Sequence, residues 1–126
     1  SIRVVVFDGD AAAVMHMGAL ATNCRYKAGN MIHIVLNNGV NESVGGQPSS
    51  GYVVNLTGVA SACGYGNIGH AIETKDELQQ VLKTLSDGDE PTFIDVHVRQ
   101  GIRSDMPKLG INHKAVKNEL MDYLKK

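Results

Sequence analysis

The chain has 126 residues, of which 43% are hydrophobic and 20% charged, with a formal net charge of -1. These are the proportions of one globular domain with an ordinary core, and they exclude a disordered tail. Lys and Arg are dispersed, so no basic face argues for nucleic acid or an anionic membrane surface, and the apolar runs are too short to cross a bilayer.

The chain opens at Ser1 without Met and enters an apolar run almost at once, which reads as a piece of something longer with no signal peptide. Arg3-Val4-Val5-Val6-Phe7 is β-branched and continuously apolar, as expected of a parallel strand covered on both faces. Asp8-Gly9-Asp10 turns the chain, the spacing predicts a helix over 12–25, and Met31 to Leu36 reads as a second buried strand. Strand, turn, helix, strand is a βαβ unit.

From Asn37 to Gly51 the glycines, Pro48 and small polar residues predict a long irregular loop. A short helix is expected over 55–62 and a strand near 67–72. Thr74 and Glu77 have capping-box spacing, and Leu78, Val81, Leu82 and Leu85 share one helical face until Gly88. Pro91 to Val98 reads as a strand with Pro at its first position, and a last helix carries Val116, Leu120, Tyr123 and Leu124 as its apolar stripe. The fold class is therefore α/β, a mainly parallel sheet with helices on both faces, in one domain spanning 1–126.

Ligands of such sheets bind beyond the carboxyl ends of strands. The first predicted strand ends in Asp8-Gly9-Asp10 and the second in Asn37-Asn38-Gly39, so neighbouring strands would bring Asp10 to face Asn38. A carboxylate oxygen, an amide oxygen and a nearby main-chain carbonyl are hard ligands suited to octahedral Mg2+ that also takes phosphate oxygens. A helix starting beside Asp10 offers free N–H groups to the same anion. Either residue alone would read as a cap or turn; together they predict a site for magnesium and a diphosphate.

Gly9-Asp10 followed by Asn37-Asn38 resembles the motif pair of the thiamine-diphosphate-dependent 2-oxo acid decarboxylases. The likeness extends through Met15 to Thr22, Ile32 to Gly39, Gly45-Gly46-Gln47-Pro48 and Gly101 to Asp105, which are similar to the branch that decarboxylates phosphonopyruvate or sulfopyruvate. The resemblance implies thiamine diphosphate and Mg2+ as cofactors, with Asp10, Asn38 and the carbonyl of Val40 as metal ligands. It also implies that Gly9, Ala11 and Ala12 border the diphosphate. Its further implications are a separate pyrimidine-binding domain, in the same longer chain or another subunit, a homo-oligomeric full enzyme and a small 2-oxo acid substrate. The domain by itself would catalyse nothing.

Ala11 departs from the family's third motif residue, glycine, and is compatible with the site only at negative φ. It leaves open a reading of another class, an assembly or regulatory domain that has lost the cofactor. Gly45, Gly46 and Gln47 are either a surface loop or an active-site lid touching substrate, and Arg103 pairs with Asp105 or a neighbouring subunit, or else binds substrate. His16 could reach cofactor or substrate from the first helix; His33, His70, His97 and His113 are expected to be structural. Gly64 to Gly69 matches a dinucleotide fingerprint in the wrong context, after a helix, and reads as a helix stop. Cys24 and Cys63 lack zinc or disulfide-scaffold spacing and are expected to be reduced core residues of a cytoplasmic protein.

Overall fold

A computed structural model describes residues 2–66, 69–86, 88–106, 110 and 112–125. In chain order it contains β1 (Val4–Gly9), α1 (Asp10–Met15), α2 (Gly18–Arg25), β2 (Met31–Asn37), β3 (Val40–Asn41) and a 3-10 turn (Glu42–Val44). There follow β4 (Gln47–Pro48), α3 (Leu56–Cys63), α4 (Lys75–Thr84), β5 (Thr92–His97) and α5 (His113–Leu124).

The main sheet is parallel in the order β1-β2-β5, with Val4 opposite Met31, Gly9 opposite Leu36, Ile32 opposite Thr92 and Asn37 opposite His97. Alternate side chains leave β2 and β5 on opposite faces, and each face gathers its own core. On one side Val35 and Phe93 pack with Ala13, Leu20, Leu56, Ala60 and Tyr65. On the other, Ile32, Ile34, Ile94 and Val96 pack with Ile72 and are covered by Leu78, Val81 and Leu85. Helices on both faces of a parallel sheet confirm the expected fold class.

Several sequence expectations need correction. The helix expected over 12–25 is two helices, because the chain leaves helical geometry at His16 (φ -117, ψ 32) and restarts at Gly18. Ala19 N–H donates to His16 and Leu20 N–H to Met17, so the junction is wound as a tight turn, where Gly18 lends little helical preference. β1 is an outer strand, not one covered on both faces: Val4 is 45% and Phe7 63% exposed, and only β2 pairs with it among the described residues.

The 37–51 segment is less irregular than expected. Val40 pairs with Pro48 and Asn41 with Gln47 in an antiparallel ladder, closed by the 3-10 turn and by Gly45 and Gly46 at φ 114 and 75. α3 starts at Asn55, whose side chain accepts from Gly58 N–H. α4 is capped by Thr74, which accepts from Glu77 N–H, but stops at Thr84, short of Gly88. Leu85 turns extended there and packs on the second core.

Asn67 and Ile68 of the expected fourth strand lie outside the described residues; at either side of them Gly66 bridges Thr92 and Ile72 bridges Val96. α5 forms as expected, yet Val116 and Leu120 on its stripe are each 56% exposed, so it covers neither core. No helix among the described residues is long and apolar enough to cross a membrane.

Candidate functional site

The site lies at the carboxyl edge of the sheet, where β1 and β2 end side by side. Because Gly9 is in register with Leu36, the next residues of both strands converge: Asp10 enters α1, Asn37 closes β2 and Asn38 begins the turn into β3. A cleft of about 340 Å³ opens there, bordered by Gly9, Asp10, Ala11, Ala12, Asn38 and Val40, all six residues expected at the cofactor.

Each polar group in this cleft has a defined posture. Asp10 is 1% exposed, and its Oδ2 accepts a hydrogen bond from the Ser49 hydroxyl. Asn38 Nδ2 donates to Glu42 Oε2 at 3.1 Å and Asn38 Oδ1 accepts from Val40 N–H at 3.2 Å. A carboxylate can only accept, so Glu42 fixes the amide orientation and leaves the second lone pair of Asn38 Oδ1 for a ligand. Val40 sits opposite Pro48, which has no N–H, so the β3–β4 ladder draws no hydrogen bond from Pro48 to the Val40 carbonyl.

Behind the cleft a buried layer holds these groups. Asn37 is fully buried, donates through Nδ2 to the Gly51 carbonyl at 3.0 Å and accepts from Gly39 N–H through Oδ1 at 3.3 Å. A Cβ on Gly51 would collide with Asp10 Oδ2 and Asn37 Oδ1, so only glycine lets this backbone lie against both side chains. Asp95, 4% exposed on β5, has its carboxyl pushed above the usual range by burial, with Asp10 adding to the rise and His97 and Asn37 opposing it.

Two observations bear on whether a diphosphate and a hard cation suit the cleft. A Cβ on Gly9 would meet nothing within 4 Å, so the space beside its backbone is open rather than packed. The converging donors are all oxygens, and among the described residues no three His, Cys, Asp or Glu side chains gather as a metal site. One carboxylate, one amide oxygen and one carbonyl suit a cation that completes its shell with water and phosphate oxygens. Ala11 lies within α1, and Lys27 is the only non-glycine residue at positive φ among those described. The backbone at Ala11 therefore does not need glycine.

The remaining expected site residues lie elsewhere. His16 caps α1, exposed, and does not line the cleft. Gly45 and Gly46 form the exposed tip of the β3–β4 turn, while Gln47 borders a smaller adjoining cleft with Ala11 and Ser49. Arg103 is exposed and pairs with Asp105, Nε to Oδ1 at 2.9 Å and Nη2 to Oδ2 at 2.8 Å. Its strand of chain is nonetheless tied to the site, since Gln100 Nε2 donates to the Asn38 carbonyl and Gly101 N–H to Glu42.

His33 is buried among Tyr65 and Phe93 and bonds Asp8 at 2.9 Å. Gly64 is the left-handed cap that stops α3, and Cys24 and Cys63 carry free thiols. His97, by contrast, packs edge-on against Tyr52 at 5.0 Å in a second cleft with Asp95. Sequence reasoning missed Ser49, Gly51, Glu42 and Asp95. The Asn37-Asn38 doublet pointed to the layer behind the cleft, but nothing local marked the residues that lean on it.

Residues 1–96 match the family described as thiamine pyrophosphate enzyme, C-terminal TPP binding domain, and the chain belongs to that family. Phosphonopyruvate decarboxylase of Streptomyces viridochromogenes is 43% identical over 98 residues, covering 78% of this chain and 24% of that protein. Its counterpart in Streptomyces hygroscopicus matches to the same extent. The sulfopyruvate decarboxylase subunit beta of Methanothermobacter thermautotrophicus is 32% identical over 114 residues, covering 90% of this chain and 58% of that subunit. The chain thus spans about a quarter of the phosphonopyruvate decarboxylases and rather more than half of the sulfopyruvate subunit.

Proposed function

We propose that this chain is the diphosphate- and magnesium-binding part of a thiamine-diphosphate-dependent decarboxylase that converts phosphonopyruvate to phosphonoacetaldehyde and carbon dioxide. The observation that carries the reading is the convergence of Asp10, Asn38 and Val40 on one cleft at the end of β1 and β2. Asp10, Asn38 Oδ1 and the Val40 carbonyl hold the metal, and the backbone at Gly9, Ala11 and Ala12 accommodates the diphosphate. Bound there, thiamine diphosphate supplies the nucleophilic carbon and the electron sink that decarboxylation needs.

The chain's own part is anchoring and orientation, with the aminopyrimidine engaged by a separate pyrimidine-binding domain, in a longer chain or another subunit, within a homo-oligomer. We assign no catalytic proton transfer to His16, which is not among the residues that line the cleft. Gln47 beside Ala11 is the better-placed candidate for substrate; the charge of Arg103 is already matched by Asp105. Free thiols at Cys24 and Cys63 support a cytoplasmic setting.

Sulfopyruvate is the second substrate reading, favoured by the coverage of the subunit beta relatives. The reading of a domain without cofactor loses its one sequence ground, because Ala11 occupies helical backbone. Calorimetric titration of Mg2+ and thiamine diphosphate, with the pyrimidine-binding partner added, tests the proposal. Binding that Asp10→Asn abolishes is expected, with faster carbon dioxide release from phosphonopyruvate than from sulfopyruvate. No binding to the reconstituted protein would overturn the enzyme reading; a reversed substrate preference would overturn only the substrate.

A further inference from the structure

We propose that Ser49 is a positioning residue that sets the geometry of the metal site by tying together its two halves, an inference that rests on Asp10 and Asn38 being the metal ligands. Asp10 reaches the cleft from the β1–α1 junction, whereas Asn38 and Val40 come from the turn after β2. Ser49 contacts both. Its hydroxyl bonds Asp10 Oδ2, and its N–H donates to the Gly39 carbonyl, between Asn38 and Val40, at 2.9 Å.

The direction of the hydroxyl bond follows from its neighbours. Ser49 Oγ accepts from Gly51 N–H at 3.1 Å, and an ionised Asp10 has no proton to give. The single hydroxyl hydrogen must therefore point at Oδ2. With one lone pair of Oδ2 engaged, Ser49 disfavours chelation by both carboxylate oxygens and fixes the orientation in which Asp10 meets a cation. The remaining ligands can then be water and phosphate, as a small octahedral ion requires.

Ser49 is itself held from behind. Gly51 accepts from Asn37 Nδ2 and Tyr52 donates to the Asn37 carbonyl, which fixes the 49–52 segment against the end of β2. A serine that merely ordered its own turn would need only the contact to Gly51. The bonds to Asp10 and Gly39, on two other segments, are what such a role leaves unexplained.

The test is titration with Mn2+ in the presence of inorganic diphosphate, following free Mn2+ by electron paramagnetic resonance, alongside metal-free thermal unfolding. Outer-layer partners of metal ligands typically change affinity by about 10- to 100-fold when removed. Ser49→Ala is expected to weaken Mn2+ binding by that order while metal-free unfolding stays close to that of the unaltered chain, and Ser49→Thr, which keeps the hydroxyl, is expected to restore affinity. If Ser49→Ala does not fold, Ser49→Cys takes its place with the same expectation.

Asp10→Asn separates the two claims. Loss of binding in Asp10→Asn with unaltered binding in Ser49→Ala would overturn the role of Ser49 and leave the metal site standing. Failure of the unaltered chain to bind Mn2+ and diphosphate would overturn both.

Discussion

Replacing Gly51 by alanine puts a methyl group against Asp10 Oδ2 and Asn37 Oδ1, with Asp10 Cβ 2.7 Å away. None of these is the free end of a long side chain. Asp10 and Asn37 are both buried, and Asn37 is bonded to Gly51 and Gly39. Gly51 is not in the left-handed region, so the penalty is collision and not backbone strain.

Forcing a methyl into a packed interior costs about 1–3 kcal/mol. Displacing Asn37 from the Gly51 carbonyl costs about 1 kcal/mol more. For a domain of this size the combined loss corresponds to a fall of roughly 5–15 °C in unfolding midpoint. Asp10 must also move, so the affinity for Mg2+ with thiamine diphosphate should fall with it. Circular dichroism melting and calorimetric titration read the two effects separately. A Gly51→Ala protein with unchanged midpoint and unchanged affinity would refute the packing assigned to this layer.

Gly9→Ala is the contrasting case: its methyl meets nothing in the protein, so the melting midpoint should hold while diphosphate binding weakens, measured by the same two experiments. Asp95 gives a pH dependence. Burial raises its folded pKa above the ordinary 3.8, so its contribution to stability is complete below that value and is lost as pH rises through the folded pKa. Asp95→Asn, which stays neutral, should therefore gain in midpoint relative to the unaltered chain as pH is raised from about 4 to about 7. A gap that shrank over that range would contradict the assignment.

Much of this was legible locally. The β-branched run at Val4 to Phe7, the cap at Thr74 and the glycine stop after α3 act over a few residues, so the sequence carries them openly. The placement of Asp10 and Asn38 at the ends of neighbouring strands needed only one added premise, that β1 and β2 pair in parallel, and they do. The helix over 12–25 misled because helix-forming composition outweighed Gly18. β1 misled because an apolar run tells of the need for cover, not of what supplies it.

Residue types and strand ends by themselves determined the α/β class, the two turns that border the candidate site and the set of oxygen groups that would suit a hard cation. Tertiary structure alone decided what holds those donors in place. Ser49 and Gly51 reach Asp10 from the far end of a loop, Glu42 orients Asn38 while also meeting Gly101, and Asp95 approaches from another strand. Apart from the short step from Asn38 to Glu42, such contacts arise from chain closure over dozens of residues, and no local propensity encodes them. The residues that border the candidate site could be read along the chain; their support exists only once the chain has folded back on itself.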